Sequence, residues 1–328
     1  MENRRNFIKS AILGTGGLFA ADALAVTEKT PSCAADGWDV FEKRGSHERL
    51  TLAYQHVKIG LEKPFSVLHI SDTHLCAADE RESEFKRAFA ERRNQVFGGR
   101  MEAALRDSLA WAKANVDVVL HTGDLIDFQT QANYDLVRKY LCEAPNLFGC
   151  AGNHEYQGRN EGEIITNDFK YNDLTAEEVR KAIPYAKRID SVIVGGVNFV
   201  SLEQTYGVVC EEQVEGFGKE VQKGLPIVLC MHAPFMTDAI WRASCRFWAG
   251  YGKKYRSAHL EAAKGDYRRQ LEDPLTTSFI ARLKKEPLLK AICAGHLHIT
   301  ISDEFSPTAK EYVVGGNFLF HGQEILFT

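Results

Sequence analysis

Five times along this chain a short apolar run stops abruptly at a cluster of Asp, His, Asn and Gly residues. The runs occupy 65–70, 116–121, 147–151, 227–231 and 291–294, and β-branched and aromatic side chains dominate them. Short runs of that composition form strands buried on both faces. Several of the intervening segments have helical spacing; Met101, Leu105, Leu109 and Ala112 share one helical face. Further helices are expected over 133–142, 175–183 and 276–285, the second opened by a capping box of Thr175 and Glu178. Residues 50–59 alternate as a strand does, Pro64 marks the turn after them, and 311–327 should supply strands around Gly315-Gly316. Strands alternating with helices predict an α/β fold with at least partly parallel pairing. In such sheets ligands sit beyond the carboxyl ends of the strands, where every polar cluster lies.

The clusters are Asp72-Thr73-His74, Gly123-Asp124-Leu125-Ile126-Asp127, Gly152-Asn153-His154-Glu155, Met231-His232-Ala233-Pro234 and Gly295-His296-Leu297-His298. Each alone is a weak signal, because a histidine at a strand end more often makes a supporting hydrogen bond than binds a metal. Their conjunction outweighs that plainer reading. Two neighbouring cations need one shared anionic ligand together with imidazoles, carboxylates and neutral oxygens. Aspartates supply charge and can bridge; neutral histidines and an asparagine carbonyl add ligands without further negative charge. Gly123, Gly152 and Gly295 are expected to let the backbone turn tightly where each strand stops.

In these five blocks the sequence resembles the calcineurin-like metallophosphoesterase superfamily, which includes purple acid phosphatases, protein serine/threonine phosphatases and cyclic-nucleotide phosphodiesterases. The resemblance implies a sandwich of two mixed β-sheets flanked by helices, as one domain over residues 49–328. It also implies that Asp72, His74, Asp124 and His298 hold a first metal, with Asp124 bridging to a second completed by Asn153, His232 and His296. His154 would face the leaving group as general acid or charge stabiliser, Asp127 would orient its ring, and Glu155 reads as structural. The implied reaction is hydrolysis of a phosphate mono- or diester through in-line attack by a metal-bridging hydroxide. Mn or Fe is favoured for the two metals, with Zn an alternative.

The other histidines carry less. His69 and His121 lie inside strands that precede ligand blocks and should pack or hydrogen-bond behind the site; His47, His56 and His259 have no motif around them, and His321 is a weak supporting candidate. Of eight cysteines, Cys76, Cys150, Cys230 and Cys293 neighbour the motifs, but none has metal-site spacing, and buried packing is the simpler role.

The first 25 residues read as an export signal: Arg4-Arg5 within Asn3–Lys9 resembles the twin-arginine motif, an apolar stretch follows, and Ala23-Leu24-Ala25 suits a signal peptidase. That stretch is too short to span a membrane. Residues 26–48 read as a loose lead-in. The expected location is therefore outside the cytoplasm, with the export machinery as a partner in transit and no transmembrane span in the mature chain.

A net charge of −4 offers no electrostatic case for binding nucleic acid or acidic membranes, so a small phosphate ester is the expected substrate. Two rivals remain open: a metal-retaining phosphate-binding protein without turnover, and a metal-dependent nuclease. Substrate choice is expected in two insertions. The first, 156–190, includes Arg159, Asn160, Lys170 and Tyr171; the second, 235–274, interleaves aromatics and cations from Trp241 to Arg256. Arg242, Arg246 and Trp248 would either rim the site or fill a local core.

Overall fold

The alternation of apolar runs with helical stretches resolves into two sheets lying face to face. The structure, a computed structural model, describes residues 49–328 apart from 145, 161–162, 166–172, 205–206 and 251–252. The expected signal and lead-in, together with Lys170 and Tyr171, lie outside the described residues.

In chain order, β1 (Thr51–Val57) and β2 (Phe65–Ile70) precede helices α1 (Glu84–Val96) and α2 (Met101–Asn115). Then come β3 (Val118–Thr122), α3 (Gln131–Glu143), β4 (Leu147–Cys150), a small hairpin of β5 (Gly158–Asn160) and β6 (Glu163–Ile165), and α4 (Asp173–Ala182). The second half contains β7 (Ile189–Val194), β8 (Val197–Leu202), α5 (Glu211–Val221), β9 (Ile227–Met231), α6 (Asp238–Ala249), α7 (Lys253–Glu272) and α8 (Pro274–Leu283). It ends with β10 (Leu289–Ala294), β11 (Ile301–Ser306), β12 (Ala309–Val313), a 3₁₀ turn (Asn317–Leu319) and β13 (His321–Phe327).

One sheet has the order β1-β13-β2-β3-β4 and the other β11-β12-β10-β9-β8-β7. Both are mixed. In the first, only β13 and β2 run antiparallel; in the second, β12, β10, β9 and β8 pair in parallel between antiparallel edges. Val67, Leu120, Phe199, Val228, Ile325 and Phe327 fill the space between the sheets. The outer face of the first sheet packs on α1 to α4 and that of the second on α5 to α8, through two further apolar clusters. The α/β class and the helix-flanked sandwich of mixed sheets are both present.

All five apolar runs are strands within two residues of the expected bounds. Helix α4 begins at Asp173, so Thr175 lies inside its first turn rather than at its cap. The strands flanking Gly315-Gly316 fall in different sheets, and the chain crosses from one layer to the other there. Helix α1 was not legible in advance, because its only buried residue is Ala90. The β7–β8 hairpin was also missed, although Gly195 and Gly196 both have positive φ, as a two-residue turn between such strands requires. No helix among the described residues is long and apolar enough to cross a membrane. The seven described cysteines are free, and Cys76, Cys150, Cys230 and Cys293 are buried.

Within the first sheet Gly149 of β4 pairs with His121 of β3, and a Cβ there would collide with the His121 carbonyl. Gly149→Ala should part these strands and cost about 1–3 kcal/mol, measured as a lower urea midpoint for unfolding.

Candidate metal centre

The candidate ligands sit where five strands end, and their backbone is unusual. Asp72, His74, Asp124, His296 and His298 all have φ between 54° and 66°. This left-handed region is sparsely used by side-chain-bearing residues, Asp and His being among those that tolerate it, and costs about 1–3 kcal/mol per residue. Backbone hydrogen bonds between neighbouring loops hold the conformation. Asp72 N–H donates to the Gly123 carbonyl (2.9 Å), His74 N–H to Asp124 (2.9 Å), Asp127 N–H to Leu75 (2.9 Å) and Gly295 N–H to His232 (2.9 Å).

The expected turning role of the three glycines holds only for Gly123, whose φ is 94°. Gly152 and Gly295 instead permit close approach: a Cβ on Gly152 would strike the Asp124 carboxylate, and one on Gly295 the Ser71 hydroxyl and Asp72 carboxylate. Glu155, fully buried, binds the backbone of two loops together. Its carboxylate accepts from the N–H groups of Asp124 (3.0 Å), Leu125 (2.5 Å), Ile126 (3.2 Å) and Gly152 (2.6 Å). Its structural reading agrees with this geometry.

The structure brings all seven candidate ligands together. Asp72, His74 and His298 form one group with ligand atoms within 4.8 Å of one another, and Asp124, His232 and His296 form another. Asp124 stands between them: its Oδ2 is 3.8 Å from His74 Nε2 and 3.2 Å from His232 Nε2. Asn153 Oδ1 lies 3.2 Å from the same His232 nitrogen. A third group joins His154, expected to face the leaving group rather than to bind metal, to His74 and Asp124.

The donor set fits cations. His232 Nδ1–H donates to the Thr122 carbonyl (2.7 Å), leaving Nε2 facing the Asp124 and Asn153 oxygens with no proton between them in the neutral ring. His74 and His298 point Nε2 at each other across 3.3 Å, and His296 Nδ1 meets His232 Nε2 at 3.2 Å. Asp72 Oδ1 is buried without a well-aligned hydrogen bond, although His298 Nε2 is 3.3 Å away. The electrostatics agree. Burial opposes a charged His232, yet Asp124 and Asp72 outweigh it and push its pKa up to about 10. Burial likewise opposes charge on His154, but Asp124 and Asp127 push it up to about 9. A pocket that draws protons onto buried imidazoles is short of positive charge, which bound cations would supply.

Asp127 is the hub beside this cluster. Its carboxylate lies 3.1 Å from His74 Nδ1 and 3.2 Å from His154 Nδ1, while its backbone carbonyl accepts from His154 Nδ1 at 2.7 Å. Burial works against its charge; the Arg93 guanidinium, bonded to both oxygens at 2.6 and 2.7 Å, more than offsets this and holds the acid well below its usual range. Arg93, on α1, was not anticipated. Neither was Asp266 of α7, whose Oδ2 is 2.9 Å from His296 Nε2. Behind the ligands, His69 bonds Thr122 and Gln323, and His121 bonds Thr73, as supporting groups do. Burial lowers His69 to about 3 and His121 to about 4, so both are neutral.

Among the described residues, exposure at the centre is uneven. His154, His296 and His298 keep 18, 15 and 10% of their side chains exposed, whereas His74, Asp124 and His232 keep 3% or less. Trp248 does not rim the more exposed part: it is buried, with its ring 6.2 Å from that of His298, and therefore belongs to a local core. The side chains of Arg159, Asn160 and of residues 251–256 lie outside the described set.

Glu155→Ala would strand four buried N–H groups and should destabilise the fold by about 3 kcal/mol or more, measured by denaturant unfolding. Arg93→Ala leaves the Asp127 carboxylate buried without its cation. It should likewise destabilise by about 3 kcal/mol.

Residues 65–300 match a family model described as calcineurin-like phosphoesterase. A comparison with curated proteins gives no match. Among solved structures, the chain is similar to a dimetal phosphatase from Danio rerio, with 13% identity, 77% of this chain and 88% of that chain covered, and a TM-score of 0.41. It is also similar to a putative 5′-nucleotidase from Staphylococcus aureus (14% identity, 78% and 49% covered, TM-score 0.41) and to a purple acid phosphatase from yellow lupin, Lupinus luteus (13%, 78% and 44%, 0.48). The chain spans about half the length of these last two proteins. The family match takes in most of the chain and all five strand-end clusters, and the protein belongs to the calcineurin-like phosphoesterase family.

Proposed function

We propose that this metal-dependent phosphoesterase works with two cations, Mn or Fe in preference to Zn, and hydrolyses small phosphate mono- or diesters outside the cytoplasm. The observation that carries the proposal is the placement of Asp124 Oδ2 between two groups of ligand atoms. Asp72, His74, Asp124 and His298 would hold one cation, and Asp124, Asn153, His232 and His296 the other. Bound there, the pair would acidify a water molecule and neutralise charge building on the phosphoryl oxygens.

The chain's own groups do the rest. His154 presents Nε2 on the more exposed part of the centre, with Nδ1 held by Asp127, so its ring is aimed rather than free. From there it protonates the leaving-group oxygen. Asp127 orients both His154 and His74, and Arg93 keeps Asp127 ionised and in place. Phe97 stacks on His74 with ring centres 4.7 Å apart and shields the inner side from water. Histidines make up most of the ligand set and bring no negative charge of their own, which leaves the mouth hospitable to an anionic ester.

Protein lacking residues 1–25 and reloaded with Mn²⁺ should cleave p-nitrophenyl phosphate, bis-p-nitrophenyl phosphate, or both, in a salt-insensitive manner. His154→Ala should lower kcat by about 10²–10⁴-fold with metal content unchanged, and Asp124→Asn should lose Mn²⁺ and turnover together. Two bound Mn²⁺ with neither ester cleaved would favour a phosphate-binding protein; steeply salt-dependent DNA cleavage would favour a nuclease. Export rests on Arg4-Arg5: lysines at both positions should leave the protein in the cytoplasm on cell fractionation, and unchanged export would overturn that reading.

A further inference from the structure

The geometry points to α7 as the element that sets the second cation subsite: we infer that Asp266 and Gln270 are positioning residues, Asp266 for His296 and Gln270 for the loop carrying His232. The inference rests on the two-cation reading above and adds to it a determinant outside the strand-end motifs. Asp266 and Gln270 are four residues apart on α7, hence on one face, and both are buried.

Asp266 Oδ2 lies 2.9 Å from His296 Nε2. A neutral imidazole carries one N–H. With that proton on Nε2 and donated to Asp266, the lone pair is on Nδ1, the nitrogen that faces His232 within the Asp124 group. The carboxylate thus selects the tautomer and ring orientation in which His296 can act as a ligand. Arg269, one turn further along α7, pairs with Asp266 and offsets a negative charge that would otherwise lie beside an anionic substrate.

Gln270 uses both ends of its amide on one loop. Its Nε2 donates to the Pro234 carbonyl (2.8 Å) and its Oε1 accepts from Met236 N–H (3.1 Å), two and four residues beyond His232. The helix is itself fixed in place: Tyr267 stacks on Trp241 of α6, and the Thr277 hydroxyl of α8 bonds the Gln270 carbonyl. A helix from the second insertion therefore reaches both ligand-bearing loops of the second sheet. Burying an acid and an amide for packing alone would be unfavourable; here Asp266 meets a candidate ligand and Gln270 meets the loop that carries another.

The test uses the chain without residues 1–25, with ¹⁵N-labelled histidine and Mn²⁺ as the probe. Long-range ¹H–¹⁵N spectra of the metal-free wild type should show His296 protonated on Nε2, and Asp266→Ala should lose that signature. In calorimetric titration the variant should bind one Mn²⁺ as the wild type does and the second about 10–100-fold more weakly. Gln270→Ala should weaken the second Mn²⁺ without changing the His296 tautomer. Asp266→Asn, which keeps the side-chain shape, serves if the alanine variant fails to fold. A wild-type His296 protonated on Nδ1 overturns the Asp266 assignment whatever the variants do. Unchanged second-site affinity in a folded Asp266 or Gln270 variant overturns the assignment for that residue. A wild type that binds a single Mn²⁺ would overturn the two-cation reading instead, and the tautomer measurement distinguishes that failure from this one.

Discussion

One buried carboxylate organises this protein. Asp124 has almost no contact with water, and its two oxygens divide the work: Oδ1 accepts the His154 backbone N–H, while Oδ2 lies between His74 and His232. An ionised acid so buried would be prohibitively costly without compensation. Burial does oppose its charge, but the surrounding imidazoles overcome this and keep it well below the usual carboxylate range. The loops that carry those imidazoles come from both sheets, so the arrangement forms only once the sandwich has closed.

Holding that arrangement requires backbone strain. Five of the seven candidate ligands adopt left-handed φ values, which local preference does not favour. They are over-determined by hydrogen bonds between neighbouring loops, by the four N–H groups gathered on Glu155, and by glycines that admit the Asp72 and Asp124 carboxylates. A rigid sheet edge can carry such strain because its strands are buried on both faces and fix where each loop begins. Short side chains aimed by a strained backbone have few rotamers to lose, which suits a preorganised centre.

Around the motif-bearing loops lies a set of supporting groups drawn from the helices. Arg93 of α1 keeps Asp127 charged, and Asp266 of α7 faces His296. Trp248 of α6 packs near His298, and Phe97, just beyond α1, stacks on His74. The helices therefore shape the centre as well as cover the sheets. The second insertion is consequently part of the architecture of the site and not merely an appended surface.

The sequence by itself determined which residues meet at the centre. An apolar run buried on both faces must be a strand, and a strand in an α/β fold must end at the ligand edge, so the five polar clusters were legible from their positions, while the choice of Asp72, His74, Asp124, Asn153, His232, His296 and His298 within them came from the family resemblance. His69 and His121 were legible as supporting groups from their positions inside those strands. Tertiary structure alone decided how they are held. Arg93 lies on a helix too polar to register as one, and Asp266 is one acid among several in a charged segment; neither carries a local signal, because its partner is 34 or 30 residues away in sequence. Trp248 could have faced solvent or core, since spacing does not reveal what packs above a helix. Gly152 and Gly295 look like turn residues in sequence, yet they are there to admit a carboxylate from another loop. Local pattern encodes periodicity and burial, whereas contacts between distant segments exist only after the two sheets have packed.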